Sequence, residues 1–159
     1  MDNMKKAYFI FNLQAGRQPV KVVKTAIGGE LAEIIDRFTK AGYEVTTRPT
    51  QCRGDAVTAS KYACDSGFDL ILCAGGDGTL SECIDGVMQS EKRVPVGYIP
   101  VGTTNDFSKG LEIPDKPLEA CEWIIHGLEN NTFLSCDIGS LNETRHFTYI
   151  AAFGAFTNV

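Results

Sequence analysis

The chain has 159 residues, 43% of them apolar, and a net charge of −5. It is long enough to bury one sizeable core, and without a block of like charges it offers neither a nucleic-acid surface nor a polybasic membrane tether. No apolar run can span a bilayer, and Ala7 to Phe11 after Lys5 and Lys6 is too short for a secretion signal, so a cytoplasmic protein is expected.

Ala7 to Phe11 reads as a strand that delivers Asn12-Leu13-Gln14-Ala15-Gly16-Arg17 to a loop. Arg17 and Lys21 either supply positive charge to a phosphate tail or are simply solvated. Leu31, Ile34, Ile35 and Phe38 mark a helix closed by Gly42, and Tyr43 to Arg48 follows as a strand that ends just before Thr50. Gly54-Asp55 opens another helix through about Asp65, with Gly67 at its stop.

The densest signal comes next. Asp69 to Ala74 is short, apolar and bounded by glycine, as a strand buried on both faces should be. Gly75-Gly76-Asp77-Gly78 follows, and then Leu80, Cys83, Ile84, Val87 and Met88 recur at helical spacing. Thr79 with Glu82 three residues on predicts a capping box, with Leu80 and Ser81 between them. Glycines ahead of a helix N-terminus suit a phosphate, because the first-turn amides and the dipole favour an anion and a missing Cβ permits close approach. A carboxylate in that loop repels phosphate unless a cation bridges them, so Asp77 predicts magnesium, bound directly or through water.

Pro95 to Pro100 forms a further strand leading to Val101-Gly102-Thr103-Thr104-Asn105-Asp106. Gly102 allows close backbone approach and Thr103 offers a hydroxyl, while Asn105 and Asp106 either meet ligand or cap the short helix after them. Pro117 to His126 is a last helix, stopped at Gly127. Alternating strands and helices predict a parallel α/β sheet whose strand-following loops share one edge, where ligands bind. Thr132 to Ile138 and Arg145 to Ala152 read as two strands around Asn142-Glu143. Cysteines at 52, 64, 73, 83, 121 and 136 form no C-x-x-C pair and several fall on predicted apolar faces, so reduced core thiols rather than disulfides are expected; with only His126 and His146, no zinc site is expected.

GGDGTLSECIDG at 75–86 and GYIPVGTTNDFSKGLEIP at 97–114, with Asn12 to Arg17 ahead of them, resemble the diacylglycerol kinase catalytic family, especially its bacterial soluble lipid kinases. The resemblance covers nearly the whole chain. It implies a Rossmann-like ATP-binding domain over residues 1–130 and, over 131–159, the opening strands of a truncated β-sandwich domain that faces it across a lipid-headgroup cleft. By motif match, Asn12, Leu13, Gln14, Ala15, Gly16, Thr50, Thr103 and Gly76 through Glu82 line the nucleotide, with Arg17 at the family's basic, phosphate-contacting position. Leu13 replaces the family's usual proline, and Ser81 its usual asparagine. The general base and further magnesium ligands are expected beyond Val159, so the chain reads as the ATP-binding fragment of a kinase that phosphorylates a lipid hydroxyl with peripheral membrane contact. Its C-terminal strands, lacking later partners, are expected to be unstable and to self-associate. Sphingoid or ceramide kinases share these loops, and the alternative reading from another class is a non-catalytic nucleotide-binding or interaction module derived from a lipid kinase.

Overall fold

Two apolar runs form the centre of the sheet. In the computed structural model, which describes residues 4–13, 20–142 and 145–148, β1 (Lys5–Phe11) and β3 (Leu70–Gly75) lie side by side, with Phe9, Ile10, Leu70, Ile71 and Leu72 all at 1% exposure or less. They are flanked by β2 (Tyr43–Pro49) and β4 (Val96–Pro100), giving an all-parallel sheet of order β2-β1-β3-β4. The register pairs Phe11 with both Pro49 and Ala74, and Gly75 with Pro100, so the four strands end nearly level.

Right-handed crossovers dictate where the helices go. The chain moves one way across the sheet from β1 to β2 and the other way from β2 through β3 to β4. Accordingly α1 (Val20–Lys40) packs with α5 (Pro117–Glu129) on one face, and α2 (Asp55–Asp65) packs with α3 (Asp77–Met88) on the other. Arg37 ties the first pair together, bridging Glu33 on its own helix at 2.7 Å and Glu122 on α5. The second pair meets at Gly86, where a Cβ would stand 2.2 Å from both Ser60 Oγ and the Val57 carbonyl. The short α4 (Asp106–Gly110) follows β4. Cys64, Cys73, Cys83 and Cys121 are buried free thiols, and burial pushes the Cys121 thiol up to about 12.

Three local expectations are corrected. Helix α3 begins at Asp77 with Gly76 as its cap, two residues before Thr79, and no side chain caps it; Glu82 instead accepts the Gly54 N–H at 3.0 Å, bracing α3 against the turn before α2. Gly127 does not stop α5, which runs on to Glu129; its missing Cβ lets the returning chain pass, with the Thr132 N–H donating to the Gly127 carbonyl at 2.8 Å. Thr132 to Ile138 is irregular and mostly exposed rather than a strand, and pairing starts only with β5 (Gly139–Leu141) against the antiparallel β6 (Arg145–Phe147). That hairpin rests on α3. The His146 N–H donates to Asp85 Oδ1 at 3.2 Å, and its Nδ1 lies 2.9 Å from the same oxygen. Among the described residues no helix is long and apolar enough to cross a membrane.

Candidate functional site

In this strand order the topological switch falls between β1 and β3, because the chain leaves β1 in one direction and later returns past it in the other. Such switch points open a crevice at the C-terminal strand edge. Here hydrogen bonds beyond the sheet ladder hold that edge together. The Asn12 N–H donates to Ala74 O at 3.0 Å, the Thr50 N–H to Phe11 O at 2.9 Å, and the Val101 N–H to Gly75 O at 3.0 Å. The four loops thus leave the sheet in fixed relation.

Between them lies a cavity of about 520 Å³ lined by Asn12, Thr50 to Arg53, Gly76 to Thr79, Glu82 and Gly102 to Thr104. The helix α3 aims its first turn into this space, and Leu80 N–H already closes onto Gly76 O at 3.1 Å, leaving the amides ahead of it at the cavity side. Thr79 Oγ1 accepts from Asn12 Nδ2 at 3.4 Å, joining the first loop to the third.

The two glycine loops touch. A Cβ on Gly102 would stand 2.5 Å from Gly76 Cα, so only glycine fits where the backbones cross. Asn105 maintains this contact from behind: it sits in the left-handed region at φ 51°, its Oδ1 accepts the Gly102 N–H and its Nδ2 donates to Gly102 O, both at 2.9 Å. Buried Tyr98 completes the brace, donating its hydroxyl to Gly75 O at 3.1 Å, and burial raises its pKa. Asp77 has a second task besides facing the cavity. Its Oδ2 and Oδ1 accept the Asp106 and Phe107 N–H groups at 3.1 Å each, capping α4 from another loop.

Of the residues singled out in the sequence, Asn12, Thr50, Gly76, Asp77, Gly78, Thr79, Glu82, Gly102 and Thr103 meet on this wall. Gly75 and Leu80 are buried beneath it, Asn105 supports it, and neither Leu13, 44% exposed, nor Ser81 is among the lining residues. Gln14, Ala15, Gly16 and Arg17 lie outside the described residues. Gln51, Cys52, Arg53 and Thr104 also line the cavity and escaped the sequence reading. Their signal was position alone, since they follow a strand at the ligand edge.

Comparison with known proteins gives this geometry its context. The family described as the diacylglycerol kinase catalytic domain matches residues 6–135. A protein named diacylglycerol kinase from Bacillus subtilis (strain 168) is 40% identical over 98% of the chain, which covers 48% of that relative. One of the same name from Staphylococcus carnosus (strain TM300) is 37% identical over 98% of the chain and 47% of its own length. The chain thus spans about half the length of the curated relatives it matches. A crystal structure of a diacylglycerol kinase from Bacillus anthracis str. Sterne superposes with a TM-score of 0.60 at 33% identity, over 77% of this chain and 40% of the other. Domain match, curated relatives and solved structure agree with the glycine loops at the switch point, and the chain belongs to the diacylglycerol kinase catalytic-domain family.

Proposed function

We propose that this chain binds ATP with Mg2+ at the switch-point cavity and contributes the nucleotide side of a kinase that phosphorylates a lipid hydroxyl. One observation supports the reading above others: four strand-following loops converge on a polar cavity into which α3 directs its first-turn amides. Phosphoryl transfer asks for positioning and charge neutralisation, and first-turn amides beside glycines supply both to a polyphosphate.

The residues fit magnesium. Among the described residues no group of three or more His, Cys, Asp or Glu side chains could hold a metal ion, so a cation here would take most of its ligands from phosphate and water. Magnesium binds in that manner, through one or two carboxylates plus nucleotide oxygens. Asp77 is the carboxylate for that role. Each of its oxygens accepts one N–H and keeps lone-pair capacity for a metal-bound water. When bound, the cation would neutralise charge developing on the transferred phosphoryl group. Asn12, Thr50 and Thr103 orient the nucleotide, with Gln14 to Arg17 completing the phosphate side.

In this reading residues 1–130 form the nucleotide-binding domain, and the β5–β6 hairpin begins an acceptor-side domain that meets lipid at a membrane surface. The protein is cytoplasmic with peripheral membrane contact. The decisive experiment is titration of the chain with ATP in the presence and absence of Mg2+, followed by γ-phosphate transfer to a panel of diacylglycerol, sphingoid and ceramide acceptors with the chain and with a full-length relative. Saturable, magnesium-dependent ATP binding and diacylglycerol phosphorylation by the relative are expected. Absence of nucleotide binding by the folded chain would overturn the reading.

A further inference from the structure

The turn between β2 and α2 carries a cation whose role the glycine loops do not explain. Arg53 lines the cavity together with two carboxylates, Asp77 and Glu82. Arginine beside carboxylates ordinarily forms a fork-shaped ion pair, yet Arg53 makes no ion pair or hydrogen bond among the described residues.

The neighbouring carboxylates bond to backbone amides of the surrounding loops. Glu82 Oε1 accepts the Gly54 N–H, and both Asp77 oxygens accept the amides that open α4. Asp55, two residues from Arg53, turns back into its own loop: Oδ2 accepts the Gln51 N–H at 2.7 Å and the Cys52 N–H at 3.3 Å, and Oδ1 accepts from Cys52 Sγ at 3.4 Å. Gly54 at φ 89° completes the turn in a conformation that favours glycine. These bonds fix the turn from which Arg53 projects at the cavity wall. Arg53, with no partner among the described residues, is the basic side chain that the described wall of the cavity offers to an anion.

We propose that Arg53 contacts the phosphate chain of the bound nucleotide and strengthens the site for polyphosphates, an inference that rests on the nucleotide reading given above. Arg53 is exposed, and it lines the same wall as Gly76 to Thr79, where the first turn of α3 would receive the phosphates. Arg53 is also distinct from Arg17, the basic residue that the family resemblance points to.

The experiment compares the chain with Arg53→Gln and Arg53→Lys by calorimetric titration of Mg·ATP and Mg·ADP at several salt concentrations, with thermal unfolding as the fold control. Arg53→Gln should weaken both nucleotides about tenfold, lower the salt dependence of binding because one screened charge contact is lost, and leave the melting temperature unchanged. Arg53→Lys should retain the salt dependence and part of the affinity. Equal affinity in wild type and Arg53→Gln overturns the proposal, as does weakened binding with an unaltered salt slope, which would mark a contact to the base or a structural effect. Should Arg53→Gln fail to fold, Arg53→Lys carries the comparison, and an unchanged affinity there with a lost salt slope counts against a phosphate contact. If wild type itself binds neither nucleotide, the nucleotide reading fails; if only the variants match wild type, it stands and Arg53 alone is misassigned.

Discussion

The carboxylate of Asp77 meets two demands, one from the cavity and one from the helix behind it. Asn105, the residue at the N-terminus of α4, spends its side chain on Gly102, so the first amides of α4 depend on Asp77 from a different loop. Asp77→Asn keeps one acceptor oxygen but opposes an amide donor to the other N–H, and loss of a capping acceptor costs about 1 kcal/mol. The expected outcome is a small fall in stability by denaturant unfolding together with loss of the magnesium dependence of ATP binding; unchanged magnesium dependence would remove Asp77 from the metal. Gly102→Ala is harsher, because the clash is with backbone rather than a flexible side chain: we expect destabilisation of about 1–3 kcal/mol and weakened nucleotide titration from displacement of the Gly76 loop. Tyr98→Phe should cost only about 0.5–1 kcal/mol, since Gly75 O keeps the Val101 N–H when the hydroxyl is gone.

Element by element, what the sequence reveals depends on how local its cause is. β3 and the loop after it are legible because an apolar run buried on both faces and a glycine cluster are written in consecutive residues, and α2 appears at its expected bounds for the same reason. The start of α3 misled because Thr79 and Glu82 match a capping pattern, whereas Glu82 finds a donor in Gly54, 28 residues away. Strand order, and the entry of Gln51 to Arg53 into the cavity, are likewise set by contacts that no local pattern encodes. The helix α2 also carries a pH prediction. The Gln51 N–H and the Cys52 thiol hold Asp55 below its ordinary value of 3.8, and the Ser90 hydroxyl and Lys61 do the same for Asp65. Both favour the ionised form when folded, so their contribution is fully present above pH 3.8 and is lost as pH falls through the lower folded values. The protection of the Gln51 and Cys52 amides, taken relative to their intrinsic exchange rates, should therefore fall as pH drops below 3.8, and Asp55→Asn should abolish that fall. Gly86→Ala, pressing on Ser60 and Val57, should separate α2 from α3 and lower the melting temperature by several degrees.

For the molecule as a whole, the parallel sheet explains why one edge collects the candidate ligand groups, and α3 links that edge to the hairpin. Asp77 and Asp85 lie on the same helix, about 12 Å apart along its axis, one at the cavity and the other bonded to His146. His146→Ala should speed amide exchange in Arg145–Phe147, measured by hydrogen exchange, while leaving β1 and β3 protected; equal protection would show that the hairpin is held by something other than Asp85. The helix α3 is thus a shaft gripped at two points, and thermodynamics makes such a shaft work both ways. If nucleotide at the first turn steadies the hairpin by some factor, then docking the hairpin tightens nucleotide by that same factor, so a partner that seizes β5 and β6 would set the affinity of a pocket it never touches.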